Sequence, residues 1–214
     1  MAKLPSFLPH ALPAVNGGVA IVTGASSGIG RATVAALAEL KSRAATTSTT
    51  TYAPTHIIGT SRNPDTITDP VDGVDYLPLD LADPASIDEF TSSALSYGSP
   101  TVLVNNAGES QSGPLEELPY DALHRLFEIN VLGQVGVTQK ILPEMRRNGA
   151  GRIVMVGSML GSFPLAYRSS YVASKAAIKG FAFAARREVR PFGVGISVVN
   201  ALSTRVEADI KRDG

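Results

Sequence analysis

Val19-Ala20-Ile21-Val22-Thr23-Gly24-Ala25-Ser26-Ser27-Gly28-Ile29-Gly30 is the stretch that decides the fold of this 214-residue chain. It begins with a short run of β-branched and apolar residues, which is typical of a strand buried on both faces of a parallel sheet. A glycine-rich turn follows, and apolar residues then recur at helical spacing over residues 29–40. A strand, a glycine turn and a helix in this order predict a βα unit whose turn binds an anion.

The glycines of this turn are spaced for binding a pyrophosphate. Gly24 allows a tight turn, Gly28 lets the backbone approach the ligand, and Gly30 permits close packing of helix on sheet. The helix that starts at Ile29 offers free N–H groups and the positive end of its dipole. Hydroxyl donors come from Ser26 and Ser27. An ordinary glycine turn without a ligand is the alternative interpretation.

Further strands and helices alternate along the rest of the chain. The strands are predicted at residues 19–23, 56–60, 75–79, 101–105, 152–157 and 195–199. Asp83 and Pro84 are typical of a helix start, and this helix runs toward Tyr97. Longer helices are predicted at 120–147, with Pro143 as a kink site, and at 169–190, where Pro191 stops the helix. This alternation predicts a single α/β domain with a doubly wound parallel sheet.

The domain is expected to span residues 19–214, after an N-terminal arm at 1–18. Residues 44–51 read Ala-Ala-Thr-Thr-Ser-Thr-Thr-Thr, and this polar stretch predicts a loop insertion at 44–56. A phosphorylated regulatory loop is an alternative for the same residues.

Charge and composition exclude several classes of protein. Nineteen basic and 19 acidic residues give zero formal net charge, so no overall field attracts nucleic acid. Without cysteine there is no disulfide, thiolate nucleophile or cysteine-ligated metal. His10, His56 and His124 are too far apart for a helical pair of ligands, and we expect no metal site.

No apolar run reaches the roughly 18 to 20 residues that cross a bilayer. Pro5, Pro9 and Pro13 interrupt any signal-peptide core. We therefore expect a soluble, cytoplasmic protein without a membrane span.

The end of the second strand predicts the cofactor. A carboxylate there pairs with a ribose 2′-hydroxyl, whereas an arginine accommodates a 2′-phosphate. Residues 57–63 contain no carboxylate and include Arg62. This favours NADP(H) over NAD(H), the alternative being that Arg62 is an ordinary surface arginine.

Tyr171 and Lys175 are candidate catalytic residues because they lie at i and i+4 on one helix face. A neighbouring ammonium stabilises the phenolate, which lowers a tyrosine pKa from about 10 toward neutrality. Ser158 lies thirteen residues earlier, at the end of a predicted strand, where its hydroxyl could hold a carbonyl oxygen. Taken alone, the tyrosine and lysine would be a common surface pair.

Two asparagine motifs complete a recognisable set, Asn105-Asn106-Ala107-Gly108 and Glu128-Ile129-Asn130. Together with the glycine turn and the tyrosine and lysine, they resemble the short-chain dehydrogenase/reductase family over about residues 19–199. The resemblance implies a Rossmann-type fold and a catalytic tetrad. Its members would be Asn130 holding a water, Ser158 orienting the substrate oxygen, Tyr171 as proton donor, and Lys175, which also binds the nicotinamide ribose.

The same resemblance implies further cofactor contacts. Asp80 and Leu81 would lie at the adenine end, and Asn106, Ala107 and Gly108 would form the wall along the adenosine ribose. Residues 108–118 are most similar to hydroxysteroid and retinol dehydrogenases. A homodimer or homotetramer is implied as well.

The chain departs from the family pattern after the sixth strand. Family members usually have Pro-Gly there, whereas this chain has Ala201 and Leu202, so the nicotinamide end of the site is altered. The sequence stops at Gly214, and we expect it to lack the last strand and the helices that cover the substrate. The sixth strand would then be an exposed edge. Two interpretations are open: the sequence is a fragment of a longer protein, or it is a naturally short form.

The first hypothesis is an NADP-dependent oxidoreductase that transfers hydride between NADPH and a ketone or aldehyde, or acts in reverse on a secondary alcohol. An apolar loop at residues 160–167 favours a hydrophobic small-molecule substrate. The second hypothesis is a cofactor-binding protein with a non-redox role, namely a cyclase, an isomerase or a regulatory module. An inactive truncated form is a third.

Overall fold

A parallel sheet forms the centre of the molecule in the computed structural model, which describes residues 11–46 and 52–201. Its six strands are ordered β3-β2-β1-β4-β5-β6. They are β1 Val19–Val22, β2 His56–Ser61, β3 Asp75–Pro78, β4 Pro100–Asn105, β5 Gly151–Ser158 and β6 Val194–Ala201. The order reverses between β1 and β4, and this arrangement confirms the predicted doubly wound α/β fold.

Helices cover both faces of the sheet. They are α1 Gly28–Thr46, α2 Pro84–Ser96, α3 Tyr120–Phe127, α4 Gln134–Arg147 and α5 Ser169–Val189. The side chain of Asp83 accepts from the Ala85 N–H at 2.9 Å, so the predicted cap and proline start of α2 are confirmed.

The first helix is longer than its apolar pattern predicted. It continues beyond residue 40 to Thr46 and includes the beginning of the polar stretch that was expected to be a loop. Alanine, lysine and arginine at residues 41–45 have high helix propensity, which outweighs the absence of a clear apolar face. Residues 47–51 of that stretch, like residues 1–10 of the arm, lie outside the described residues.

The prediction of a single α-helix over residues 120–147 is wrong for the middle of this range. Between α3 and α4 lies a π-helical segment, Glu128–Gly133, and α4 continues through Pro143. A Cβ on Gly133 would lie 2.3 Å from the Leu81 carbonyl oxygen, so only glycine permits this close approach. The wider turn contains Asn130, one of the predicted site residues.

Strand residues form the core between the two helical layers. Val19, Ile21 and Ile58 pack with α2, α4 and α5 residues on one face, and Val22 and Ile57 pack near α1 on the other. All four β1 residues are fully buried, as predicted for a strand covered on both faces.

The described residues contain neither a membrane-spanning helix nor a metal-binding cluster. No helix within 11–46 and 52–201 is long and apolar enough to cross a membrane. In the same ranges, no group of three or more histidine, aspartate or glutamate side chains is arranged to hold a metal ion.

Candidate active site

The glycine turn joins β1 to α1 at the carboxyl edge of the sheet. Gly24 and Gly28 have φ of +65° and +54°, the left-handed region that glycine adopts without strain. A Cβ on Gly24 would lie 2.8 Å from the Ala107 Cα, and one on Gly30 would lie 2.1 Å from the Gly24 carbonyl oxygen. The turn therefore has room for backbone but not for side chains at these positions.

Thr23 and Asn106 hold the turn against the end of β4. The Asn106 side-chain amide donates to the carbonyl oxygens of Thr23 at 2.9 Å and Gly24 at 3.0 Å. The backbone N–H groups of Asn106 and Ala107 both donate to Thr23 Oγ1 at 3.0 Å. Sequence reasoning missed Thr23, although a threonine directly before the first glycine of the turn was the available signal.

A cleft of about 890 Å³ opens at this edge of the sheet. It brings together fourteen of the predicted site residues, from the turn to α5. They are Gly24, Ser26, Ser27, Gly28, Ile29, Arg62, Asp80, Leu81, Asn106, Ala107, Gly108, Ser158, Tyr171 and Lys175. Gly30 and Asn130 do not line the cleft and lie behind its wall.

Thirteen residues outside the predicted site set also line the cleft, and three of them, Leu160, Leu165 and Ala201, belong to segments that the sequence had placed at the site. The thirteen are Thr60, Ser61, Leu79, Glu109, Ser110, Ile129, Val156, Gly157, Met159, Leu160, Leu165, Arg168 and Ala201. Most of them lie in the last residues of a strand or in the loop after it, and strand ends were the signal that could have found them.

Lys175 is the buried charged group of the site. Its side chain lies 5.8 Å from the centre of the Tyr171 ring, and its Nζ donates to the Val156 carbonyl oxygen at 3.0 Å. The residue is only 5% exposed. Burial disfavours the ammonium form and lowers the pKa of Lys175 to about 8.

Asn130 links the β4 loop to α5 from behind the cleft. Its Oδ1 accepts from the Glu109 N–H at 2.8 Å, and its Nδ2 donates to the Glu109 carbonyl oxygen at 2.9 Å and to Ser174 Oγ at 3.1 Å. Ser174 in turn donates to the Tyr171 carbonyl oxygen at 2.8 Å. The side chain of Asn130 therefore positions the segment that carries Tyr171.

Ser158 and Tyr171 reach the cleft from different elements. Ser158 is the last residue of β5, and its Oγ accepts from the Leu160 N–H at 3.2 Å. Tyr171 belongs to the first turn of α5. The carboxyl end of a strand and the start of a helix thus present two hydroxyl groups to the same cleft.

Arg62 follows β2 and takes part in a charge cluster that the sequence did not predict. Its Nη1 lies 3.9 Å from Glu109 Oε1, which also accepts from Arg125 Nη2 at 2.9 Å. The hydrogen bond and charge of Glu109 raise the pKa of Arg125. Arg62 and Arg125 thus flank the Glu109 carboxylate at this end of the cleft, which Asp80 also lines.

The segment that departs from the family pattern is described only in part, and its described residues, Asn200 and Ala201, are the last two of β6. Asn200 packs close to Gly157, where a Cβ would lie 2.7 Å from Asn200 Oδ1, and Ala201 lines the cleft. Leu202, the second residue of this departure, lies outside the described residues.

Comparisons with known proteins agree with this geometry. The family model of the short chain dehydrogenases matches residues 18–213. An uncharacterised oxidoreductase of Bacillus subtilis, YusZ, is 32% identical over 86% of this chain and 64% of its own length. Human 17-beta-hydroxysteroid dehydrogenase type 1 is 34% identical over 85% of this chain and 55% of its own.

A solved structure shares the architecture. A metagenomic short-chain oxidoreductase in complex with NADP is similar with a TM-score of 0.75 and 28% identity, over 90% of this chain and 84% of that one. The chain spans 55% to 64% of the length of the two curated relatives above.

Proposed function

Because the chain belongs to the short-chain dehydrogenase family, we propose that it is an NADP-dependent oxidoreductase that interconverts a carbonyl group and an alcohol. The family match confirms the resemblance and the fold that the motifs predicted. The cofactor preference, the substrate group, the roles of individual residues and assembly into a homo-oligomer are the parts that we propose.

The cleft fits a dinucleotide in size and chemistry. Its volume of about 890 Å³ is within the range of small-molecule sites. The turn at residues 24–30 would hold the pyrophosphate at the start of α1, and Arg62 would hold the 2′-phosphate. Asp80 and Leu81 would contact the adenine. The NADP found in the metagenomic relative's structure supports this assignment.

When bound, NADPH supplies a hydride to the carbonyl carbon. Tyr171 holds the proton that the carbonyl oxygen acquires, so one hydride and one proton convert C=O to CH–OH. The Lys175 ammonium favours the resulting phenolate by its positive charge. Ser158 donates a hydrogen bond to the same oxygen and orients it toward Tyr171. In the oxidation of an alcohol these proton movements run in reverse.

One observation carries the proposal: a buried lysine beside a tyrosine lies in the same cleft as a glycine turn built for phosphate. In a tyrosine and lysine pair on a helix surface, the ammonium group would stay in water. Here Lys175 loses hydration and gains one carbonyl oxygen in return. This cost is explained by a catalytic role in which its charge acts on Tyr171.

Tyr171→Phe tests the mechanism. We expect NADPH oxidation, measured at 340 nm with a panel of ketones and aldehydes, to fall at least about 100-fold, because the proton donor is lost. NADPH binding, followed by nicotinamide fluorescence, is expected to be retained. Tyr120→Phe is the control, since that ring is 78% exposed and lies outside the cleft.

Unchanged activity in Tyr171→Phe would contradict the tetrad. Nucleotide binding by the wild-type chain without turnover of any carbonyl would favour the non-redox alternative. The cofactor preference is tested in the same titrations with Arg62→Ala, which is expected to weaken NADPH binding at least tenfold and NADH binding little. Equal weakening of both would show that Arg62 does not contact the 2′-phosphate.

A further inference from the structure

Arg168 differs from the other cations that line the cleft. Lys175 donates to a backbone carbonyl, and Arg62 lies near the carboxylate of Glu109. Within residues 11–46 and 52–201, Arg168 has no carboxylate within 4 Å, and its guanidinium donates to the neutral hydroxyl of Ser110. A guanidinium has five N–H donors, so most of its capacity is open to a ligand.

The position of Arg168 assigns it to the substrate end of the cleft. It directly precedes α5, three residues before Tyr171, and it is half-buried. Arg62 lies beyond β2, whereas Ser158 ends β5, and three strand spacings separate these strands by about 14 Å. Arg168 therefore adjoins, in the chain, the segment that carries the predicted proton donor.

The backbone around Arg168 is held in place. Tyr167 has a φ of +63°, the one positive φ among the described non-glycine residues. Its carbonyl oxygen accepts from the Gly113 N–H at 3.0 Å, and Arg168 donates to Ser110 in the same loop. Two loops are thus joined at the mouth of the cleft, and Arg168 is oriented before any ligand arrives.

Apolar side chains line the cleft together with this cation. Met159, Leu160 and Leu165 lie between Ser158 and Arg168 in the sequence, and all three line the cleft. An apolar wall beside one oriented guanidinium matches a molecule with a hydrocarbon body and an acidic group.

We propose that Arg168 binds the carboxylate of an amphipathic substrate, so that the preferred substrates are oxo acids or hydroxy acids with an apolar body. This inference rests on the proposed function, since it places the substrate in the same cleft. Arginine binds a carboxylate through two parallel N–H···O bonds, which fix the orientation as well as the affinity. Held in this way, the reacting carbonyl faces Tyr171 and Ser158.

The test measures binding of two probes of equal shape, 4-phenylbutanoate and its neutral amide, by isothermal titration with and without NADPH. We expect the wild-type chain to bind the carboxylate at least tenfold more tightly than the amide. Arg168→Gln is expected to remove this preference without changing the affinity for the amide or for NADPH. Arg187→Gln, an exposed arginine of α5, is the control and should retain the preference.

Two further variants separate binding from folding. Arg168→Lys keeps the positive charge but cannot form the two parallel hydrogen bonds of a guanidinium. It should retain part of the preference for the carboxylate over the amide. Ser110→Ala removes the hydrogen bond between the loops but leaves the guanidinium, so the carboxylate should still bind more tightly than the amide. If Ser110→Ala and Arg168→Gln each weaken the binding of the carboxylate and of the amide equally, Arg168 only joins the two loops and the proposal is overturned.

Equal affinity of the wild-type chain for both probes, or binding of neither, also overturns it. Failure of the proposed function gives a different result. In that case NADPH does not bind or is not oxidised, whereas the nucleotide-free protein still discriminates between the acid and the amide.

Discussion

Burial gives Lys175 properties that its sequence position does not. A lysine on the surface of a helix keeps its charge to about pH 10.4. Here the side chain crosses the interior to the Val156 carbonyl, and the loss of hydration lowers its pKa to about 8. The ammonium form of Lys175 therefore predominates at neutral pH, and it is lost as the pH rises through about 8.

The lowered pKa predicts a pH dependence of stability. Between pH 8 and 10.5 the unfolded chain still binds a proton that the folded chain has released, so the free energy of unfolding rises with pH. The limit for one such group is about 1.4 kcal/mol per pH unit. Urea unfolding of the wild type and of Lys175→Met at pH 8, 9 and 10 measures the difference between them.

We expect the wild type to gain stability relative to Lys175→Met over this range. Below pH 8 both states of the wild type are protonated, and the difference between the two proteins should be constant. A difference that stays constant up to pH 10 would show that Lys175 remains charged in the folded protein.

Glu109 is shared unequally by the two arginines of the charge cluster. Arg125 holds its carboxylate at 2.9 Å, whereas Arg62 lies at 3.9 Å. The shorter contact is the stronger ion pair, so Arg62 is the arginine that is more readily available to a phosphate.

Among the elements, α1 depends on the glycine at its third position. Gly30 is closely surrounded, since its Cβ would lie 2.1 Å from the Gly24 carbonyl oxygen and 2.5 Å from Asn106 Nδ2. Gly180 in α5 has nothing within 4 Å of the same position. Because the surroundings of these two helical glycines differ, we expect substitution by alanine to have opposite effects on stability at the two positions.

Gly30→Ala is expected to lower the free energy of unfolding by about 1 to 3 kcal/mol, because backbone must move to admit the methyl group. NADPH binding should weaken with it, since the turn changes shape. Gly180→Ala is expected to raise stability by about 0.5 to 1 kcal/mol through helix propensity. Thermal and urea unfolding check both. Similar effects of the two substitutions would contradict the packing argument.

The π-helical segment is the second feature at this scale. It places Asn130 where its amide meets the Glu109 backbone and Ser174 together. A regular helix through residues 120–147 would rotate every later residue relative to α3. The wider turn is thus the local adjustment that connects the β4 loop to α5.

At the scale of the whole molecule, β6 is the outer strand of the described sheet. Its first half is buried, but Val199 is 54% exposed although it is paired with Val156. An apolar outer strand can pair with a second copy of the chain. We therefore expect the 214-residue chain to associate as its concentration rises.

Val199→Lys is expected to reduce this association, because a lysine on an outer strand disfavours pairing with another strand. Size-exclusion chromatography with light scattering, over a range of concentrations, measures the change in mass. Leu115→Lys is the control, since Leu115 is 73% exposed and lies away from the sheet edge. If both variants associate like the wild type, β6 is not the contact.

The sequence by itself determined the sheet, the glycine turn and most residues of the cleft. These features depend on local patterns: the apolar run at β1, the glycine spacing at residues 24–30, and the separation of Tyr171 from Lys175. A parallel sheet collects strand ends at one edge, so residues far apart in sequence could be placed together.

The tertiary structure alone decided the features that depend on distant neighbours. They include the burial of Lys175, the sharing of Glu109 by Arg62 and Arg125, the hydrogen bond from Arg168 to Ser110, and the π-helical turn at Asn130. Desolvation and hydrogen bonding depend on what approaches a group in space. A pattern within ten or twenty residues carries no information about a partner that lies sixty residues away.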